Sequence, residues 1–152
     1  MVARIHSLYL LLAGLLAATT ICFHFWSFNA TTLFYIGYSS TFPDAGIMQM
    51  SNATGILSLL TAIISVTAIF LFKNRSLQSR FVQLAMLLIF ADILSVFTAA
   101  HFMNQYFQHI GTTVTHKPEA GFFMLLPEPV LFWLALKGIK KDDKIANAYK
   151  RL

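Results

Sequence analysis

Four long apolar runs dominate this chain and leave few folds open to it. They cover about 5–28, 53–72, 81–102 and 118–136. Each is close to the ~20 residues that carry a helix across a ~30 Å hydrocarbon core. Only 11% of the 152 residues are charged, against about 25% in a soluble domain. The first run also fits a signal peptide, with Arg4 as the positive region and Leu8 to Leu16 as the apolar one. Its apolar character continues through Cys22 and Phe23 to Trp26, and no clear cleavage site follows, so a retained helix is expected. The fourth run is shorter and holds Pro127-Glu128-Pro129. Pro118 and Glu119 suit a helix start there, so a distorted fourth span is expected.

Ten of the eleven Lys and Arg residues fall in three short places. These are the start (Arg4), the turn between the second and third runs (Lys73, Arg75, Arg80), and the tail (Lys137, Lys140, Lys141, Lys144, Lys150, Arg151). Basic residues beside membrane segments stay cytoplasmic, so both termini and the central turn are expected on that side. The net charge of +5 is therefore read as a juxtamembrane belt meeting anionic lipid headgroups, not as a nucleic-acid footprint. The tail places Ile145, Tyr149 and Leu152 at helical spacing among its lysines. This suggests a short amphipathic helix on the membrane surface. The outward segment after the first run is rich in strand formers over 31–38, and Phe42 to Gly46 reads as a turn, so a small outer hairpin can form. The expected fold is an all-α, single-domain membrane protein of four transmembrane helices.

Small and polar residues mark where the helices touch. Thr54, Ser58, Thr61, Ser65 and Ala68 share one face of the second run. Gly14 and Ala18 form a small pair in the first, and Ala85, Asp92, Ser95 and Ala99 share a face of the third. In lipid such residues permit close approach and hydrogen bonds between helices.

Asp92 and Glu128 are both placed near mid-bilayer. An intramembrane acid costs a few kcal/mol and is a functional candidate by default. Pro127 and Pro129 each lack an N–H, so the carbonyls of Phe123 and Leu125 lose their helical donors. Three readings of the acids stand: a structural lock bonded to a hydroxyl of the second run, an ion or proton site, and a contact with a cation on another subunit. No Lys or Arg lies within a span, so an ion pair inside the chain is not available to them.

Other signals are weaker. His24 and His101 end the first and third runs and could ligate haem, or with His109 and His116 a metal. Their spacing matches no ligand motif, and polar capping explains them as well. The single cysteine, Cys22, excludes an intrachain disulfide. There is no nucleophile–base motif and no phosphate loop, so neither an enzyme nor a cofactor is expected.

Three stretches carry a resemblance. They are the opening Arg4-Ile5-His6-Ser7-Leu8-Tyr9-Leu10-Leu11, the turn Phe72-Lys73-Asn74-Arg75-Ser76-Leu77-Gln78, and the closing Lys137-Gly138-Ile139-Lys140-Lys141-Asp142-Asp143-Lys144. Together they resemble a family of uncharacterised bacterial four-helix inner-membrane proteins. His6 stands for the family's usual Gln, and Asp143 for Glu. The resemblance implies an inner-membrane location and brings no activity. It also makes the two Asn-x-Thr sequons, at Asn29 and Asn52, of little weight. The leading expectation is an accessory or structural subunit that meets other integral membrane subunits. The alternative is a proton- or ion-coupled membrane protein using Asp92 and Glu128.

Overall fold

A computed structural model describes residues 5–29, 33–37, 42, 44–111 and 113–149. Arg4, Lys150 and Arg151 lie outside that set. Helices α1 (Ile5–Thr20), α2 (Ala45–Phe70), α3 (Arg75–His109), α4 (Ala120–Leu125) and α5 (Glu128–Tyr149) account for most of the chain. Strands β1 (Trp26–Asn29), β2 (Leu33–Ile36) and β3 (Thr115–Pro118) make one small sheet. Helix α2 packs on α1 and α3, and α5 packs on α3 and α1, closing a ring. Three helical stretches, Ala45–Lys73, Arg75–His109 and Ala120–Ala146, are long and apolar enough to cross a membrane, and α1 is a shorter apolar helix.

Local chemistry sets the boundaries. Asp44 caps α2, its Oδ1 accepting from the amides of Gly46 at 2.8 Å and Ile47 at 3.1 Å, which satisfies two otherwise unpaired helix donors. The segment expected as a turn is thus partly a helix cap, and α2 begins eight residues before the expected 53. A 3-10 turn, Leu71–Lys73, leads to Asn74, whose side chain accepts from the Leu77 amide at 3.1 Å and caps α3. Past the end of α3, Gly111 takes a φ of 71°, a left-handed geometry that commonly terminates helices and suits glycine.

The end opposite that turn departs most from the sequence reading. The first helix stops at Thr20, not near 28, because Trp26–Asn29 is the central strand of a sheet ordered β2-β1-β3. Both its edges pair antiparallel, with Trp26 opposite Ile36 on one side and Pro118 on the other. Two partners satisfy its backbone, and its aromatic residues suit a strand. The expected hairpin is therefore two strands of a three-stranded sheet set on a mostly helical chain; residues 30–32 and Tyr38 lie outside the described set. Pro118, read as part of a helix start, instead ends the third strand, Thr115–Pro118. The last helix begins only after Glu119. The tail is also corrected: α5 runs unbroken from Glu128 to Tyr149, so residues 137–149 prolong that helix instead of forming a separate amphipathic one.

The packing is the reverse of a soluble bundle. Helix α2 buries Ser51, Thr54, Ser58, Thr61 and Ser65, while Ile56, Leu59 and Ile63 point outward. Helix α3 buries a line from Gln78 through Val82, Ala85, Ile89 and Asp92 to Val96 and beyond. This spacing of about 3.5 residues is the repeat of left-handed helix packing. Ser95, expected on that face, lies only at its edge, where its hydroxyl donates to the Met50 carbonyl at 3.3 Å. On α1 the seam is Leu10, Ala13, Gly14 and Ala17; Ala18 is exposed. Gly14 permits the close approach, since a Cβ there would meet the Ser65 Cβ at 3.2 Å. The Ser65 hydroxyl donates to the Leu10 carbonyl at 2.6 Å, tying α2 to α1.

The sheet and the bundle are joined at Gly121. Its amide donates to the His24 carbonyl at 3.0 Å, and a Cβ there would stand 2.8 Å from that same oxygen. Gly121→Ala is therefore expected to destabilise the protein by about 1–3 kcal/mol, the usual cost of overpacking. A lowered unfolding midpoint in detergent would register it; an unchanged midpoint would contradict this packing.

Candidate functional site

Asp92 lies at the midpoint of α3, and Glu128 is the first residue of α5, just past a break in the last helix. Helix α4 ends at Leu125, Leu126 and Pro127 form a turn, and Pro129 occupies the first turn of α5, where a missing N–H does least harm. The Leu131 amide still reaches the Pro127 carbonyl at 3.1 Å. Both acids are fully buried, on helices that pack against each other. The structure thus brings together two carboxyls that the sequence could place only by depth.

One of them has a partner. The Ser58 hydroxyl donates to Asp92 Oδ2 at 2.5 Å. The remaining three carboxyl oxygens, Asp92 Oδ1 and both oxygens of Glu128, have no hydrogen-bond partner among the described residues. The acids sit between two apolar clusters. Leu125 and Val96 belong to one under the sheet, and Phe132 and Ala85 to one toward the opposite end.

The basic residues gather at that opposite end. His6, at the start of α1, approaches Asp142 with Nδ1 3.4 Å from its carboxylate. The Arg75 guanidinium donates to the Asp142 carbonyl. Arg75, Arg80 and Lys140 line an open cleft there, and Lys73 ends the adjoining 3-10 turn. Lys141 and Lys144 lie further along α5. Lys137 lies over the Trp133 ring, its Nζ 5.3 Å from the centroid, a cation–π contact. Gln78, which the sequence reading passed over, is buried beneath this end and donates to the Ala68 carbonyl at 2.9 Å. Its only signal was a polar residue on the buried line of α3.

The histidines separate. His24 stacks on Tyr35 with ring centroids 4.3 Å apart. His101 tilts against Phe102, and His109 lines a separate cleft with Asp44 and Tyr106. His116 accepts from the Trp26 indole at 3.3 Å. Among the described residues no three His, Cys, Asp or Glu side chains form a group able to hold a metal.

The sheet end adds a polar tie that the sequence reading missed. The Ser27 hydroxyl donates to Glu119 Oε1 at 2.7 Å, and the Lys117 ammonium stands 3.3 Å from the same atom. The Ser27 hydrogen bond, with Lys117 second, holds the Glu119 carboxyl below its ordinary range. A depressed folded value means that this tie is present above the ordinary carboxylate range and fades as pH falls through the lowered value.

A family model described as Domain of unknown function (DUF4293) matches residues 2–152. The chain belongs to this family. The match takes in the opening, central and closing stretches that carried the resemblance, so the reading as a member of an uncharacterised family holds. No curated protein and no solved structure matches this DUF4293 chain.

Two outcomes test the geometry. Ser58→Ala leaves a buried carboxyl without its donor and is expected to cost roughly 1–2 kcal/mol. Thr61→Ala should cost less, because among the described residues Thr61 bonds only the Leu57 carbonyl of its own helix; equal losses in detergent unfolding would contradict the assignment. Ser27→Ala should raise the Glu119 titration toward the ordinary range, followed by carbon NMR of the labelled side chain.

Proposed function

We propose that this protein is a four-span protein of the bacterial inner membrane, with both termini in the cytoplasm. In this reading it serves as an accessory or structural subunit of a membrane complex and has no catalytic activity of its own. The observation that carries the reading is the convergence of the basic central turn and the lysines of α5 at one end of a bundle whose outer faces are apolar. Arg75, Arg80 and Lys140 share a cleft there, while Leu87, Phe90, Leu94, Val130 and Trp133 face outward elsewhere. A belt of this kind favours the cytoplasmic leaflet and its anionic headgroups.

The shorter α1 fits this scheme when its extended continuation is counted. A helix rises about 1.5 Å per residue and a strand about 3.3 Å. The strand after α1 therefore adds length that its 16 helical residues lack. The outward apolar faces of α2 and α3 offer the contact for other integral subunits. The second reading, a proton- or ion-coupled membrane protein, draws on the buried Asp92 and Glu128.

Two measurements test the leading reading. Reporter fusions at the C-terminus and in the 73–75 turn should report cytoplasm, and a fusion near Asn104 the opposite side. Solubilisation in mild detergent should recover the protein in a stable assembly larger than itself, with partners identified by mass spectrometry. Recovery of the protein alone under cross-linking conditions would overturn the subunit role.

A further inference from the structure

Three oxygens at the centre of the bundle accept nothing from any described residue: Asp92 Oδ1, Glu128 Oε1 and Glu128 Oε2. Both side chains are fully buried, and they do not hydrogen-bond each other. Each such acceptor, cut off from water and left unpaired, costs about 1–3 kcal/mol. Among the described residues no positive charge lies near them. The Ser58 proton is already directed at Asp92 Oδ2. Helices α2 and α4 bring no titratable group, and α1 brings only His6 and Tyr9, near its start. Along α3 the flanking groups are Arg80 and His101, and along α5 the first cation is Lys137. Each is nine or more residues from its acid, on the order of 13 Å or more along a helix.

The described residues thus offer these oxygens no donor. Both side chains are closed off from the surface, so only a small occupant suits them. Hard oxygen ligands select hard cations over soft metals. The helix also breaks immediately before Glu128, where Pro127 and Pro129 cannot donate to the carbonyls of Phe123 and Leu125. In secondary transporters, breaks within a spanning helix help coordinate small cations. We propose that Asp92, Glu128 and the Ser58 hydroxyl form a binding site for a small monovalent cation, at which protons and sodium ions compete. The site is independent of the accessory role, since it makes no use of a partner.

Dicyclohexylcarbodiimide, an apolar reagent that adds to protonated carboxyls, provides the test. The full-length protein in detergent is reacted, and the label is located by mass spectrometry. Labelling is expected at Glu128 or Asp92 and should slow as pH rises. At fixed pH, sodium at about ten times its dissociation constant should slow it roughly tenfold, the factor set by simple competition. Choline at equal ionic strength should not. Asp92→Asn should remove the sodium protection while leaving Glu128 reactive. Ser58→Ala, which keeps both acids, should weaken the protection and serves if Asp92→Asn does not fold. Labelling that ignores sodium would overturn the proposal, as would its absence at every pH in protein shown to be folded by circular dichroism.

Discussion

The hydrogen bond from Ser58 to Asp92 joins the midpoints of α2 and α3, and much of the bundle is arranged around making it possible. A carboxyl in apolar surroundings must find donors within the protein, because lipid offers none. Ser58, in the line of hydroxyls on α2, supplies one, and that face turns inward. Once that face is inward, the leucines and isoleucines on the other side of α2 must point out. Small residues on the same seam then bring the backbones near, and Ser65 can reach the Leu10 carbonyl on α1. Dispersion between close-packed helices, not expulsion of water, is the attraction available to such a core.

The two ends of the bundle solve different problems. At the sheet end, β1 satisfies its backbone from both sides and shelters Phe25 and Phe28 against Met103 and Phe107. At the other end, no sheet is available. There α1, α3 and α5 meet through Asp142, which receives His6 and Arg75, and Gln78 fills a buried position that an apolar residue could not satisfy equally well. One end is closed by backbone pairing, the other by side chains that also carry the positive charge.

Much of this was legible in the sequence, for identifiable reasons. The inward face of α2 could be read because small and hydroxylated residues recur every three or four positions in an otherwise apolar run. The two acids stood out because an intramembrane carboxyl is expensive wherever it is placed. Their meeting was not legible, since depth along two separate helices says nothing of rotation about their axes. Strand β3 was hidden as well. Thr115-His116-Lys117-Pro118 has little strand character of its own, and Pro118 suits only an edge; its conformation is imposed by the aromatic strand beside it. The end of α1 was misread for the same reason, as Trp26 to Phe28 is apolar enough to prolong a helix until a pairing partner is known.

The pairing of β1 with β3 also bears on the order in which the molecule is assembled. Trp26 and His116, in contact across that sheet, are 90 residues apart in the chain. When β1 emerges during synthesis, β2 follows at once, but its other edge must wait until α2 and α3 are in place. Contacts that close so large a loop form late. The strand that follows the first helix thus waits with one edge unpaired, and the last strand acts as the latch that fixes it.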